Sequence, residues 1–301
     1  MLSRKLEISP AAKKCANKAV LVTGSARSGT TIIGKLLSSF DCAEYAYEPP
    51  ALLTLISAIN EIDETQWRML YEAYLYEEFL LNALAGRVFN FNKFDDSAIF
   101  KTKSQEEIDR RLSLNLAKSS AEELASKHTV IYKIPDIGGK AAMLKKYYPS
   151  MNIVIMLRDA VGTLNSVIQR GWFNKKNEES NLIWPFTIFE AKRVPFWVLP
   201  KDIEYWVGLS EIDRAAYYYV RINEDISNIS DGIVIKYSNL IQSPQVVAGN
   251  LSEKLGLHLS EKSLEIVGAI TKTEKFRDLK IVDKINKDLR DRVLYYSDLS
   301  T

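Results

Sequence analysis

Two cysteines, Cys15 and Cys42, and two histidines, His128 and His258, are the whole complement of those residue types in 301 residues. A disulfide-built fold needs more cysteine in a shorter chain, so both thiols are expected to be free and the composition favours a reducing compartment. The same scarcity leaves no histidine–cysteine cluster with metal-ligand spacing, and no metal is expected. Charge of one sign is lacking too: 40 Lys and Arg face 38 Asp and Glu, a formal net charge of +2. That near-balance argues against a nucleic-acid binder that works by neutralising many phosphates. No stretch approaches about 18 uninterrupted apolar residues, the length a membrane-spanning helix requires. The opening segment MLSRKLEISPAAKKCANK has no apolar centre of the kind a secretory leader carries, so a soluble, cytoplasmic chain is expected. What is present, 47% hydrophobic and 26% charged residues, is the composition of an ordinary folded domain with a large core.

Four short apolar runs read as buried strands: Ala19 to Thr23, Val130 to Ile134, Ile153 to Leu157 and Gly232 to Tyr237. The first stops at Gly24 and is followed by a loop and then by Ile32-Ile33-Gly34-Lys35-Leu36-Leu37, apolar at helical spacing. Strand, glycine loop and helix in that order open a mononucleotide-binding α/β fold. Ala141 to Tyr148 is helix-like and lies between the second and third runs, which makes a right-handed parallel βαβ unit. A long helical stretch from about Asp202 to Ile229 precedes the fourth run. Residues 50–128 read as mainly helical, with no strand. The expected fold is therefore α/β, a P-loop-type three-layer arrangement with a central, mainly parallel sheet of four or more strands and a helical insertion. Residues 1–18 are expected as an N-terminal tail and 19–301 as a single domain.

The loop Gly24-Ser25-Ala26-Arg27-Ser28-Gly29-Thr30-Thr31 sits where backbone N–H groups and a helix N-terminus make an anion site. Its glycines have P-loop spacing, but Thr30 stands where a nucleoside-triphosphate enzyme has lysine, and the cation has moved to Arg27. A kinase using ATP and magnesium is thereby disfavoured and kept as the alternative enzyme, and a non-catalytic nucleotide-binding protein as the alternative without chemistry. A second anion site is expected at Arg158, at the end of the third run. Ser166 lies about two turns into the following helix, so both would face one phosphate.

Arg27-Ser28-Gly29-Thr30-Thr31 resembles the 5′-phosphosulfate loop of the sulfotransferases that use 3′-phosphoadenosine 5′-phosphosulfate (PAPS), and Ile155 to Asp159 with Ser166 resembles their 3′-phosphate element. Ala160 replaces the usual proline. Ile233 to Leu240 resembles the family's late strand, with Tyr237 packing near adenine, and Leu255-Gly256-Leu257 its closing turn. Arg277, within Lys272 to Lys280, is the candidate in a final basic loop. The resemblance implies PAPS as donor, leaving as 3′-phosphoadenosine 5′-phosphate (PAP). It assigns the donor to Ser25, Ala26, Arg27, Ser28, Gly29, Thr30, Thr31, Arg158, Ser166 and Tyr237.

The phenol-type enzymes have a histidine in a Lys-Thr-His-Leu-Pro-like segment, where this chain has Tyr132-Lys133-Ile134-Pro135-Asp136. His128 and His258 read as solvent-side residues. Glu48-Pro49 is instead similar to the Glu-Pro of carbohydrate and tyrosylprotein sulfotransferases, which makes Glu48 the expected base, partly desolvated, with Asp136 in reserve. Lys133 and Arg27 are expected to hold the sulfuryl group and the departing PAP. Residues 172–206 are dense in rings, including Trp172, Phe173, Trp184, Phe196, Trp197 and Trp206, and read either as core or as an acceptor-binding lid. The expected partner is a hydroxyl-bearing acceptor, a carbohydrate or a lipid.

Overall fold

The structure, a computed structural model, describes residues 8–113, 118–174, 185–190, 192–271 and 278–301. Its strands are β1 (Val20–Gly24), β2 (Ala43–Tyr47), β3 (Thr129–Lys133), β4 (Asn152–Leu157), β5 (Phe186–Phe189), β6 (Lys192–Pro195) and β7 (Ile233–Lys236). Five of them form one sheet in the order β2-β3-β1-β4-β7, and every pairing in it is parallel. β5 and β6 make a separate antiparallel hairpin.

The reason for a three-layer fold is visible residue by residue. Side chains alternate across a strand, so Leu21, Ile153 and Ile155 enter one apolar cluster, while Val20, Val22, Val154 and Met156 enter another on the opposite face. Both faces of the sheet are therefore buried, as a parallel sheet requires. The first cluster takes helices from the 50–128 region, through Trp67, Tyr71 and Leu75, and the helix Glu211–Ser227, through Tyr218 and Tyr219. The second takes the helix Thr30–Ser38 through Ile33, Leu36 and Leu37.

Several boundaries differ from the sequence reading. Residues 10–18, expected as part of a tail, form the helix Pro10–Lys18, capped by Ser9 and seated in the first cluster through Ala12, Cys15 and Ala16. Cys15 is buried, with its thiol pushed up to about 12 by burial, and Cys42 is exposed; both are free. The helix expected at 141–148 spans Gly138–Tyr147, and the stretch 202–229 is broken into Ile203–Gly208 and Glu211–Ser227. Between residues 50 and 128 no strand occurs among the described residues. β1 pairs with β3 on one side and β4 on the other, so the chain leaves it toward both flanks. The crevice at its carboxyl end is where an open α/β sheet places ligands.

Candidate active site

Three loops meet at that crevice. The first leaves β1 at Gly24 and ends at Gly29, with φ +103, which opens the helix Thr30–Ser38 with no side-chain cap. An uncapped helix start leaves N–H groups for an anion. A Cβ on Gly29 would lie 2.7 Å from the Tyr237 ring, so only glycine allows this approach. The second loop follows β2 through Glu48, and the third follows β3 through Asp136. Arg27, Glu48 and Asp136 have φ of +74, +41 and +64, three of the six described non-glycine residues in the left-handed region. Such strain persists where surrounding structure enforces it, and it gathers at functional sites.

The two phosphate elements are joined through Arg27. Its Nε donates to Ser166 Oγ at 2.9 Å, and Arg158 Nη1 donates to the Arg27 carbonyl at 2.7 Å. The Arg158 guanidinium also lies 4.3 Å from the Tyr237 ring centroid. Gly162 makes room for it, since a Cβ there would meet Arg158 Nε at 2.6 Å. The following helix, Ala160–Ile168, is capped by Asp159, which accepts from Gly162 N at 2.6 Å. Arg158 and Ser166 thus converge on one loop residue, Ser166 on its side chain and Arg158 on its backbone. Burial, followed by the like charges of Arg170 and Arg158, pushes the Arg27 guanidinium below its usual value.

Lys133, the last residue of β3, is 2% exposed. Its Nζ pairs with Glu48, donates to Thr31 Oγ1 at 3.2 Å and lies 4.2 Å from the Tyr47 ring centroid. Burial lowers its ammonium while the Glu48 carboxylate draws it back up. Glu48 is only partly buried, its side chain 39% exposed, because β2 ends at Tyr47 and the turn carries the carboxylate over the cavity. Asp136 is the more enclosed acid. Its Oδ1 accepts from Ala26 N at 2.9 Å and from Tyr218 Oη at 2.6 Å, and burial pushes its carboxyl up to about 6 against those two bonds.

Arg27, Thr30, Thr31, Glu48, Lys133 and Asp136 all line one cavity of about 330 Å³. Rings complete it: Phe173, Trp197 and Tyr218 pack on one another, with centroids 5.1 to 6.1 Å apart, and Trp172 and Phe196 add further wall. Phe173, Trp197 and Trp206 are buried and serve as core packing whose inner edge walls the cavity, whereas Phe189 and Tyr205 of the same segment are exposed. Trp184 and Arg277 lie outside the described residues. Tyr218 and Arg170, which also line the cavity, were not singled out in the sequence.

Of the two histidines, His258 is exposed. His128 is not solvent-side: its side chain is 11% exposed, Nδ1 lies 2.8 Å from the Leu124 carbonyl, and Nε2 lies 3.9 Å from Glu44 Oε1. The helix ending at Lys127 carries it down onto the start of β2, and it does not line the cavity. No group of three or more His, Cys, Asp or Glu suited to a metal occurs among the described residues.

A model of the sulfotransferase family matches residues 19–261, which span both phosphate elements, Glu48 and Lys133. The chain belongs to the sulfotransferase family. Among solved structures it is similar to the sulfotransferase domain from the Synechococcus PCC 7002 olefin synthase, at 14% identity over 93% of each chain with a TM-score of 0.45. It is also similar to the sulfotransferase STF9 from Mycobacterium avium, at 13% identity over 94% of this chain and 76% of that one, TM-score 0.47. No curated protein matches it at a significant level. Family membership supports sulfotransferase activity, and no helix among the described residues is long and apolar enough to cross a membrane.

Proposed function

We propose that this sulfotransferase takes its sulfuryl group from PAPS and passes it to a hydroxyl of a carbohydrate-like acceptor. The observation that carries the reading is the convergence of Arg27, Thr30, Thr31, Glu48 and Lys133 on one cavity. The residues fit the donor. The helix start at Gly29 is uncapped, and the Ser28 hydroxyl is buried with no hydrogen-bond partner, a donor left over for an anion. Residues Ser25 to Thr31 would hold the 5′-phosphosulfate, Arg158 and Ser166 the 3′-phosphate, and Tyr237 the adenine side.

PAPS, when bound, supplies the sulfuryl group and leaves as PAP. Glu48 accepts the acceptor's hydroxyl proton as the acceptor oxygen bonds to sulfur and the bond from sulfur to the phosphate oxygen breaks. Lys133 and Arg27 face the negative charge that develops on that oxygen. Preset cations in a partly enclosed cavity are worth most where charge appears only in the transition state. The ring wall narrows the cavity beside these groups and offers flat faces to a sugar or a similar alcohol.

Glu48→Gln tests the base. It removes the proton acceptor at nearly constant shape, and kcat for PAP release in the presence of acceptor is expected to fall by about 10² to 10⁴, with PAP affinity retained. An unchanged kcat would remove Glu48 from the mechanism and leave Asp136 as the carboxylate on the cavity.

A further inference from the structure

The chemistry above uses Arg27, Lys133 and Glu48, and one cation on the same cavity is left over. Arg170 follows Ser166 by about one turn, beyond the end of the helix Ala160–Ile168, and is exposed at the cavity rim. Among the described residues no carboxylate is paired with it, whereas the other charged groups of the cavity are engaged. Glu48 is paired with Lys133, and Asp136 is occupied by Ala26 and Tyr218. Among the described residues nothing balances the Arg170 charge.

Asp136, Phe196 and Trp197 are shared with a second, larger space, a groove of about 830 Å³. Its lining combines rings, among them Phe186 and Phe189 from the β5–β6 hairpin, with polar groups such as Asn60 and Lys140. Its charged lining is slightly acidic: Glu61, Asp225 and the shared Asp136 stand against Lys140 and Arg221, and Arg221 is itself paired with Asp225. The groove therefore suits a body with flat faces and hydrogen-bonding edges and offers no excess cation to a second acid group. The unmatched positive charge lies at the reacting end.

We propose that the acceptor is a ring-bearing alcohol with a single carboxylate near its reacting hydroxyl, a uronic-acid type of molecule, whose acid group is held by Arg170 and whose body lies in the groove. This assignment rests on the sulfotransferase reading of the same cavity. A guanidinium presents two parallel donors to a carboxylate, so the contact selects for the acid as well as orienting it.

The test is calorimetric titration of the PAP-loaded protein with p-nitrophenyl β-glucuronide and p-nitrophenyl β-glucoside, which differ only in a carboxylate against a hydroxymethyl group. The glucuronide is expected to bind about tenfold more tightly, a charge-assisted contact at a partly solvated rim. Arg170→Gln is expected to bring that ratio to about one, and Arg170→Lys to restore part of it. Equal affinity for the two probes, binding of neither to the PAP-loaded protein, or an Arg170→Gln variant that loses PAP rather than the glucuronide preference would each overturn the assignment. Failure of PAP itself to bind would overturn the donor reading and this one with it, whereas PAP binding without a preference for the acid overturns the acceptor assignment alone.

Discussion

Lys133→Met separates a lysine that serves the reaction from one that merely ends a strand. Methionine keeps the length and apolar stem of the side chain and removes the ammonium. Lys133 is 2% exposed, but its partner Glu48 is 39% exposed, so deleting the cation does not strand a buried anion. The carboxylate regains water, the cost of burying the ammonium disappears, and the lost hydrogen bond to Thr31 is worth about 1 kcal/mol. Stability should therefore change by no more than about 1 kcal/mol. Activity should change far more. An ammonium placed beside an oxygen that becomes charged only in the transition state contributes about 3 to 4 kcal/mol, so kcat should fall about a hundredfold to a thousandfold. Urea unfolding with an unchanged m-value measures the first quantity, and PAP release at saturating donor and acceptor measures the second. A loss of about 3 kcal/mol in stability with kcat of the folded protein intact would refute the argument and make Lys133 a structural residue.

Two other titratable groups give predictions with a definite sign. Arg111, 2% exposed, holds buried Glu44 through two hydrogen bonds of 2.8 and 2.9 Å, and Arg111→Leu should cost about 3 kcal/mol by leaving that carboxylate without its hydrogen-bonded cation, while Glu44→Gln in the same chain should recover part of the loss in a denaturant titration. Burial alone would raise Glu44, but Lys103 and Arg111 outweigh it and hold the group low, so this contribution is present above the ordinary glutamate value and lost as pH falls through the folded one. Asp136 behaves oppositely. Its carboxyl is raised from 3.8 to about 6, so the folded state binds the extra proton and stability should decline as pH rises across that window, by at most about 3 kcal/mol from this group. Asp136→Asn keeps an oxygen for Ala26 N and Tyr218 Oη and should flatten that decline, as read by unfolding midpoints at pH 4.5 and 7; a wild-type profile that the variant reproduces would contradict the assignment.

The parts of this molecule that can be read from sequence are those whose signal is local. β1, β3, β4 and β7 are dense in β-branched and aliphatic residues, and the loop between β1 and its helix carries its glycines in plain view. β2, Ala-Glu-Tyr-Ala-Tyr, has no such run and contains a charged residue, Glu44, that becomes acceptable inside because Lys103 and Arg111, the latter 67 positions away, meet it there. The helix Pro10–Lys18 was hidden because its buried face is made of alanines and one cysteine among lysines. At the site, Glu48, Lys133 and Arg158 could be named from motif position. The bond from Tyr218 to Asp136 could not, since it joins residues 82 apart through the packing of the helix Glu211–Ser227. Arg170 has only a weak local signal, its spacing of about one turn from Ser166, because a lone arginine past a helix end has no distinctive sequence context.

The identity of the donor decides the chemistry of this site. Calorimetric binding of PAP, compared with ATP plus magnesium, on the wild type and on Arg158→Ala, tests it most directly. The account predicts that PAP binds without added metal, that ATP with magnesium binds more weakly, and that Arg158→Ala weakens PAP by about a hundredfold through loss of a charge-assisted phosphate contact. Preference for ATP with magnesium, or PAP binding that is indifferent to Arg158, would contradict it.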